Sequence, residues 1–253
     1  MSFDITENFD PRQYVLDKRF ENVGRIFAFA SGKGGVGKSS LSTAAALSLA
    51  KQGKKTGLLD FDFYGASDHL FLGAELLFPE ENAGILPLEA AFGLKFMSIA
   101  AFTGEQGVPM RGPDVTNAIL ELLAVTIWGD LDYLIIDMPP GIGDEVLDLI
   151  RYIRKSEILI ISTPSVVSVR VVKRLLDVFV NLNMKVAGVV ENMVSDEAGK
   201  RSLSEAELSA ADSVPFLGRI PVCPDLEKAI GKPEELLKTS FVKKTGQIIS
   251  GII

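Results

Sequence analysis

The sequence predicts an α/β protein with a mainly parallel, doubly wound sheet and helices on both faces, giving three layers. Three observations lead to this prediction. Short apolar runs, each typical of a strand buried on both faces, alternate with segments of helical periodicity. A glycine-rich turn follows the first apolar run. Aspartates end two later runs, and a parallel sheet would gather such residues at one edge.

The predicted elements follow one another in a regular order after residue 25. Residues 26–30 read IFAFA and form the first predicted strand, and a helix at 38–52 ends at a glycine. Further strands are expected at residues 55–60, 94–99, 133–137, 158–162 and 186–190. Further helices are expected at residues 113–127, 144–154 and 167–182, with a short one near 69–72.

The length and composition are compatible with one domain preceded by a short arm. The chain has 253 residues, of which 47% are hydrophobic, enough for a single well-buried core. Residues 1–22 are charged and of mixed character, and we interpret them as an N-terminal arm with one surface helix starting near Pro11. Residues 23–253 are interpreted as the single domain.

The charge balance argues against nucleic acid as the main partner, and the cysteine content and apolar pattern indicate the compartment. The sequence has 26 Lys plus Arg against 33 Asp plus Glu, a net charge of −7, without a basic cluster that would favour nucleic acid. A single cysteine fits a reducing compartment. The N-terminus lacks the pattern of a signal peptide, and no apolar run approaches the ~18 residues of a membrane span. We therefore expect a soluble, cytoplasmic protein.

Residues 32–39, GKGGVGKS, fit the phosphate-binding pattern Gly-x-x-x-x-Gly-Lys-Ser. Glycines let backbone N–H groups turn towards phosphate oxygens, and the positive end of the following helix points to the same place. Lys38 adds a charge at the β- and γ-phosphates, and the Ser39 hydroxyl can bind Mg²⁺. We therefore expect ATP and Mg²⁺ as cofactors. The expected nucleotide-binding residues of this loop are Gly32, Lys33, Gly34, Gly35, Val36, Gly37, Lys38, Ser39 and Ser40.

Aspartates stand at the ends of two predicted strands. Asp60 and Asp62 follow one apolar run, and Asp137 ends another. In P-loop ATPases a carboxylate in this position orients magnesium or its waters. Acidic residues also commonly end strands and begin loops, and for each aspartate taken singly that reading stays open. Their recurrence beside a phosphate-binding loop favours a metal-binding role.

Lys33 gives the loop a second lysine, directly after its first glycine. With this deviant P-loop the chain resembles the MinD/ParA/NifH-type ATPases, and among them most of all the Mrp/ApbC iron–sulfur cluster carriers. The Arg-Gly-Pro string at 111–113 and the WGDLDY string at 128–133 are typical of the Mrp/ApbC branch. The matching segments are residues 31–40, 60–67, 110–113, 128–137, 139–144 and 190–193.

The resemblance implies a homodimer with two ATP molecules at its interface. Lys33 would reach the phosphates bound by the partner and, with Lys38 and Asp62, would be catalytic, Asp62 positioning the attacking water. Asp60 and Asp137 would complete the magnesium site with Ser39.

The resemblance also implies contacts to the base of the nucleotide. Asn192 would hydrogen-bond the adenine, and the segment containing Pro221 would border the nucleotide. A simple turn residue is the alternative interpretation of Asn192.

One departure from the family pattern concerns the iron–sulfur cluster. Carriers of this family place a Cys-x-x-Cys pair shortly after the segment that corresponds to 190–193, and two such pairs in a dimer can hold a [4Fe–4S] cluster. Residues 194–202 contain no cysteine, and Cys223 is the single cysteine of the sequence. We expect Cys223 to pack as a small apolar side chain, and we expect no cluster on this chain alone.

The C-terminal residues 241–253 have helical spacing and an apolar face. MinD relatives end in a helix that binds the membrane surface, but only Lys243 and Lys244 flank the apolar face here. We expect a helix that docks on the core and no stable membrane association.

Two functional hypotheses remain open. The first is an ATP-binding, slowly hydrolysing Mrp/ApbC-like ATPase in iron–sulfur cluster assembly, acting on client or scaffold proteins. The second is a MinD/ParA-like positioning or regulatory switch whose ATP-bound dimer recruits a partner protein. The missing Cys-x-x-Cys favours the second, and the strings at 111–113 and 128–133 favour the first.

Overall fold

The computed structural model describes residues 11–63, 65–103, 113–141, 143–195 and 214–253. The strands are β1 (Val23–Ser31), β2 (Thr56–Asp60), β3 (Leu88–Glu89), β4 (Lys95–Ser98), β5 (Leu131–Asp137), β6 (Ser156–Ser162), β7 (Lys185–Val194) and β8 (Phe216–Pro221). The longer helices are α1 (Pro11–Arg19), α2 (Lys38–Lys51), α5 (Pro113–Val125), α6 (Asp144–Tyr152), α7 (Val166–Asn181) and α10 (Ser240–Ser250). The short helices are α3 (Asp68–Leu72), α4 (Ala100–Thr103), α8 (Leu226–Ala229) and α9 (Pro233–Leu236).

The strands form one sheet in the order β3-β4-β2-β5-β1-β6-β7-β8. All neighbouring strands in this order pair in parallel, except that the two-residue strand β3 runs antiparallel to β4. The predicted mainly parallel sheet is therefore confirmed. The short outer strand β3 and the outer strand β8 were not predicted from the sequence.

The apolar residues of the central strands alternate between two cores, one on each face of the sheet. On β1, Ile26 and Ala28 face a core completed by α1, α5, α6 and α7. Phe27 and Phe29 of the same strand face a second core completed by α2 and α10. Both faces are covered because a strand with apolar residues at successive positions has no face suited to water. The predicted three layers are confirmed.

The N-terminal helix α1 packs on the domain. Leu16 is fully buried and Phe20 is 3% exposed, both within the core that contains α5. The Arg19 guanidinium donates a 2.6 Å hydrogen bond to the carbonyl oxygen of Ala124 in α5. An arm was expected at residues 1–22. Over residues 11–22 the structure instead shows a part of the domain, because the apolar side chains there cover one face of the sheet.

The C-terminal helix α10 lies against α2, as expected. Phe241, Val242 and Ile249 are each at most 3% exposed, so the apolar face of this helix covers the core. In the part of the chain that the structure describes, no helix is long and apolar enough to cross a membrane.

Candidate nucleotide and metal site

The phosphate-binding loop connects β1 to α2 at the carboxyl edge of the sheet. Gly35 and Gly37 have φ values of 73° and 81°, a left-handed backbone that glycine adopts without strain. A Cβ atom on Gly34 or Gly35 would meet nothing within 4 Å, so the backbone there faces open space. The loop borders a cavity of about 250 Å³ whose wall comprises residues 33–40 with Asp62, Phe71 and Pro140. This exposed backbone beside a helix N-terminus is the arrangement that binds phosphate.

Gly32, the first glycine of the motif, packs against α7 in the structure, and its predicted contact with the nucleotide stays a prediction. It does not belong to the cavity wall, and a Cβ atom there would collide with the side chain of Val171 in α7. We therefore attribute this glycine to close packing of the loop against α7.

Lys38 and Ser39 both bind Asp137 at the end of β5. Lys38 Nζ lies 2.7 Å from Asp137 Oδ1, and the Ser39 hydroxyl donates a 2.6 Å hydrogen bond to Oδ2. Lys38 is 6% exposed and Asp137 is fully buried. The predicted lysine, hydroxyl and carboxylate therefore meet directly beneath the loop.

Asp60 lies next to Asp137 because their strands pair in register. Asp60 is paired with Asp137 on β5 and with Ser98 on β4, so three strand ends meet at this point. One carboxylate oxygen of Asp60 accepts a 3.0 Å hydrogen bond from the backbone N–H of Asp62. Asp60 is fully buried, at the edge where the sequence placed the metal ligands.

A third buried aspartate, Asp68, joins this group. Oxygen atoms of Asp60, Asp68 and Asp137 all lie within 4.8 Å of one another. Asp68 begins α3, and the Thr43 hydroxyl of α2 donates a 2.9 Å hydrogen bond to its Oδ1. Asp68 was not predicted as a site residue. In the sequence, Asp68 is an acidic residue near the start of a short predicted helix, eight positions after Asp60. Such a position does not by itself indicate that the chain returns to the end of the strand.

The burial of these groups shifts their protonation. Burial, reinforced by the charge of Asp137, raises the pKa of Asp60 to about 7. Burial and the neighbouring carboxylates raise the pKa of Asp68 well above its usual range. Burial alone would lower the pKa of Lys38, but the Asp137 carboxylate opposes this and leaves that pKa above its ordinary value. The site thus carries closely spaced carboxylates next to a lysine that stays charged.

Lys33 and Asp62, the other two residues expected to be catalytic beside Lys38, both line the cavity. Lys33 is exposed on the loop, and its backbone carbonyl accepts a 3.1 Å hydrogen bond from the Ser31 hydroxyl. Asp62 is half-buried in the cavity wall, and its Oδ1 accepts a 2.9 Å hydrogen bond from the backbone N–H of Gly65. These positions agree with the roles expected for the two side chains but do not test them.

Asn192 is buried behind the loop. Its side-chain amide donates a 2.9 Å hydrogen bond to the carbonyl oxygen of Val36, and a Cβ atom on Gly37 would collide with the same amide. The structure therefore assigns Asn192 a role in holding the loop, and its contact with adenine stays a prediction. Pro221, at the end of β8, is exposed outside the cavity wall, and its predicted contact also stays a prediction.

The donor set fits a hard divalent cation. Three carboxylates and the hydroxyl of Ser39 supply oxygen ligands, which Mg²⁺ prefers. One buried oxygen, Asp68 Oδ2, has no hydrogen-bond partner in the described part of the chain. A cation at this point would neutralise charge on bound phosphates.

Cys223 is half-buried and packs against the second core. Its thiol donates a 3.1 Å hydrogen bond to the carbonyl oxygen of Pro221. The expectation of a packed, small side chain agrees with this position. The stretch 196–202, where relatives would carry a cysteine pair, lies outside the described residues, as do residues 111 and 112 of the Arg-Gly-Pro string.

Comparison with proteins of known sequence supports the resemblance. The chain is 38% identical over 237 residues to the iron–sulfur cluster carrier protein of Rickettsia bellii, covering 91% of this chain and 71% of that protein. It is 38% identical over 216 residues to the protein of the same name from Helicobacter pylori, covering 81% of this chain and 58% of that protein. The chain thus spans between about three fifths and seven tenths of the length of these two relatives.

Solved structures show the same fold. A nucleotide-binding protein from Archaeoglobus fulgidus, in complex with ADP, superposes with a TM-score of 0.77 at 30% identity over 92% of this chain and 96% of that one. The cell division ATPase MinD of Pyrococcus furiosus superposes with a TM-score of 0.70 at 19% identity over 90% of this chain and 98% of that one.

A family model covers nearly the whole chain. It is described as ParA, NUBPL iron-transfer P-loop NTPase, and it matches residues 22–253, from the end of α1 to the last residue. The matched range includes the loop, the three buried aspartates and Asn192. The chain belongs to the NUBPL iron-transfer family of P-loop NTPases.

Proposed function

We propose that this protein binds ATP with Mg²⁺ at residues 32–40 and hydrolyses it slowly, as a homodimer, in the assembly of iron–sulfur clusters. One observation carries the nucleotide part, namely that Lys38 and Ser39 both bind the buried Asp137 directly beneath a loop with an exposed backbone. The ADP complex of the Archaeoglobus fulgidus relative supports a nucleotide at this site.

Lys38 would exchange Asp137 for the phosphates when the nucleotide binds. Ser39, Asp60 and Asp137 would hold the Mg²⁺ ion, which would supply charge neutralisation at the phosphate oxygens. Asp62, whose carboxylate reaches the cavity wall, would position the attacking water. Lys38 and Ser39 lie at the start of α2, and Asp60 and Asp137 lie at strand ends, so the fold holds these four groups in place before the nucleotide arrives.

The nucleotide site is tested by calorimetry with ATP–Mg²⁺. Lys38→Ala should remove most of the affinity, because it deletes the charge that would meet the phosphates. Ser39→Ala keeps the ion pair of Lys38 with Asp137 and should weaken only the Mg²⁺-dependent part of binding. Lys54→Ala, an exposed lysine beyond α2, is the control and should bind as the wild type does. Unchanged binding in both site variants would reject the assignment.

Lys33 tests the dimer and the chemistry together. Its exposed position on the loop would let it act on nucleotide held by a partner subunit. Lys33→Ala should bind ATP normally and hydrolyse it far more slowly, since a lysine supplied from a partner acts on charge that develops at the γ-phosphate. Single-turnover phosphate release and light scattering with ATP measure both effects. Equal turnover in the variant and the wild type would exclude this role.

The iron–sulfur part of the proposal rests on family membership and on the relatives' names. One cysteine per chain offers a symmetric dimer two thiolates, whereas a [4Fe–4S] cluster usually takes four. We therefore propose that the chain acts on client or scaffold proteins without a cluster of its own. Anaerobic reconstitution with iron and sulfide should leave no cluster after desalting. About four irons per dimer, lost in Cys223→Ser, would contradict this.

The second candidate is an ATP-dependent positioning or regulatory switch. The absence of a Cys-x-x-Cys pair from the sequence favours it. Affinity purification from the native cell with ATP, and in parallel with ADP, separates the two candidates. Recovery of apo iron–sulfur proteins would support the first, and recovery of a membrane or polar scaffold would support the second. For either candidate we propose the cytoplasm, since a single cysteine suits a reducing compartment.

A further inference from the structure

Asp68 is buried without any charged partner of its own. Its side chain is fully buried, and the contact to Oδ1 comes from the neutral hydroxyl of Thr43. The other carboxylate oxygen, Oδ2, accepts no hydrogen bond in the described part of the chain. A buried acceptor with no donor destabilises the folded protein, and more strongly when it is charged, so this oxygen needs a further partner.

The neighbouring groups do not supply that partner. Lys38 is paired with Asp137 at 2.7 Å, and Asp60 is contacted by neutral groups, the backbone N–H of Asp62 and the Ser98 hydroxyl. Asp60, Asp68 and Asp137 together therefore carry more negative charge than Lys38 balances when all are ionised. Buried carboxylates either take up a proton or need a paired charge or a metal ion.

A divalent cation matches both the geometry and the charge. Oxygens of the three carboxylates lie within 4.8 Å of one another, so a single ion can reach all of them directly or through a bound water. When all three carboxylates are ionised, they and Lys38 carry a net charge of two negative units, which one divalent ion would neutralise. In this arrangement the protein alone, without phosphates, supplies enough oxygen ligands to retain the ion.

We propose that Asp68, with Asp60 and Asp137, forms a divalent-cation site that is loaded before the nucleotide binds. The ion would then be bound to the protein before the nucleotide, and would not enter the site together with the phosphates. This inference rests on the proposed nucleotide site, since the same Asp137 serves both. Binding of the metal to the nucleotide-free protein can nevertheless be measured separately from nucleotide binding.

The test is titration of the nucleotide-free protein with Mn²⁺, followed by the loss of the electron paramagnetic resonance signal of the free ion. The wild type should bind one Mn²⁺ per chain, and Asp68→Asn should weaken this binding at least tenfold. Asp114→Asn is the matched control, because Asp114 also lies in the first turn of a helix but is exposed. Its affinity for Mn²⁺ should equal that of the wild type.

A second measurement separates metal binding from a structural role. In the presence of EDTA, Asp68→Asn should unfold at about the same temperature as the wild type, because asparagine keeps the shape of the side chain and an acceptor for the Thr43 hydroxyl. Adding Mn²⁺ should raise the midpoint of the wild type and leave that of the variant almost unchanged. A variant that is less stable under both conditions would indicate a purely structural Asp68.

Two outcomes would overturn the inference. Wild-type protein that binds Mn²⁺ only together with ATP would reject loading before the nucleotide, while leaving the proposed function intact. Equal Mn²⁺ affinity in wild type and Asp68→Asn would reject the role of Asp68. Failure of the wild type to bind ATP at all would instead count against the proposed function.

Discussion

Two lysines of one loop should differ sharply in their contribution to stability. Lys38 is 6% exposed with its Nζ 2.7 Å from the fully buried Asp137, whereas Lys33 is exposed to solvent. Lys38→Ala should leave Asp137 as a buried carboxylate without its counter-charge. Lys33→Ala should remove a solvated side chain with little effect on folding.

The distance and the burial set the magnitude. At 2.7 Å and an effective dielectric constant of ~20, the attraction between Lys38 and Asp137 is about 6 kcal/mol. Part of this is offset in the native protein by the cost of burying the ammonium group, which the substitution recovers. Breaking one partner of a buried pair typically costs about 3–5 kcal/mol. For Lys33→Ala we expect a change within about 0.5 kcal/mol.

The measurement is urea unfolding of metal-free, nucleotide-free protein, followed by the fluorescence of Trp128. This residue is the single tryptophan of the sequence and is 1% exposed, so its emission reports loss of the core. Asp137→Asn alone and in combination with Lys38→Ala completes a double-mutant cycle, which should show a coupling of several kcal/mol. Equal urea midpoints for Lys38→Ala and Lys33→Ala would refute a stabilising role of the buried ion pair.

Two further predictions concern the scaffold. Gly73→Ala should lower the free energy of unfolding by about 2–4 kcal/mol, because Gly73 has a φ of 61° and a Cβ there would collide with a backbone carbonyl of the loop before α9. Gly53 has a φ of 79°, but a Cβ there would meet nothing within 4 Å, so Gly53→Ala should cost only about 1 kcal/mol. Thermal or urea unfolding measures both variants, and equal losses would contradict the steric argument. Burial opposes ionisation of Glu157, but hydrogen bonds from Arg25 and Lys185 outweigh it and lower the pKa of Glu157 below its ordinary value. Glu157→Gln should therefore cost about 1–2 kcal/mol at pH 7. This difference from wild type should shrink as the pH falls from the ordinary pKa of glutamate through the lowered native pKa, and a difference independent of pH would refute the role of the charge.

Several features of this protein follow from short stretches of sequence. The loop at residues 32–39 and the strands that end at Asp60 and Asp137 were predicted from the residues alone. They could be predicted because a phosphate-binding motif and an apolar run are local patterns, whose physical requirements involve residues near one another in the chain. Lys38, Ser39 and Asp137 were expected at the same edge of the sheet, since parallel strand ends share one edge, but their direct contacts were not predicted.

Other features depended on distant parts of the chain coming together. Leu16 joins a core that includes residues of α5 and α6, more than 90 positions away in the sequence, and no pattern within residues 1–22 indicates that contact. The amide of Asn192 reaches the carbonyl of Val36 across 156 positions of sequence. The outer strand β8 pairs with β7 along the edge of the sheet. Most of its residues are only partly buried, so its sequence has a weak strand pattern and did not predict it.

Asp68 shows the difference most clearly. The sequence by itself determined that three strand-edge positions, Asp60, Asp62 and Asp137, would carry carboxylates near the phosphate-binding loop. Only the tertiary structure decided that the chain after Asp62 turns back, so that the first residue of α3 is buried against α2 and the strand ends. The physical reason is that a turn and a short helix carry little periodicity, and their direction is set by the packing of the surfaces that they cover.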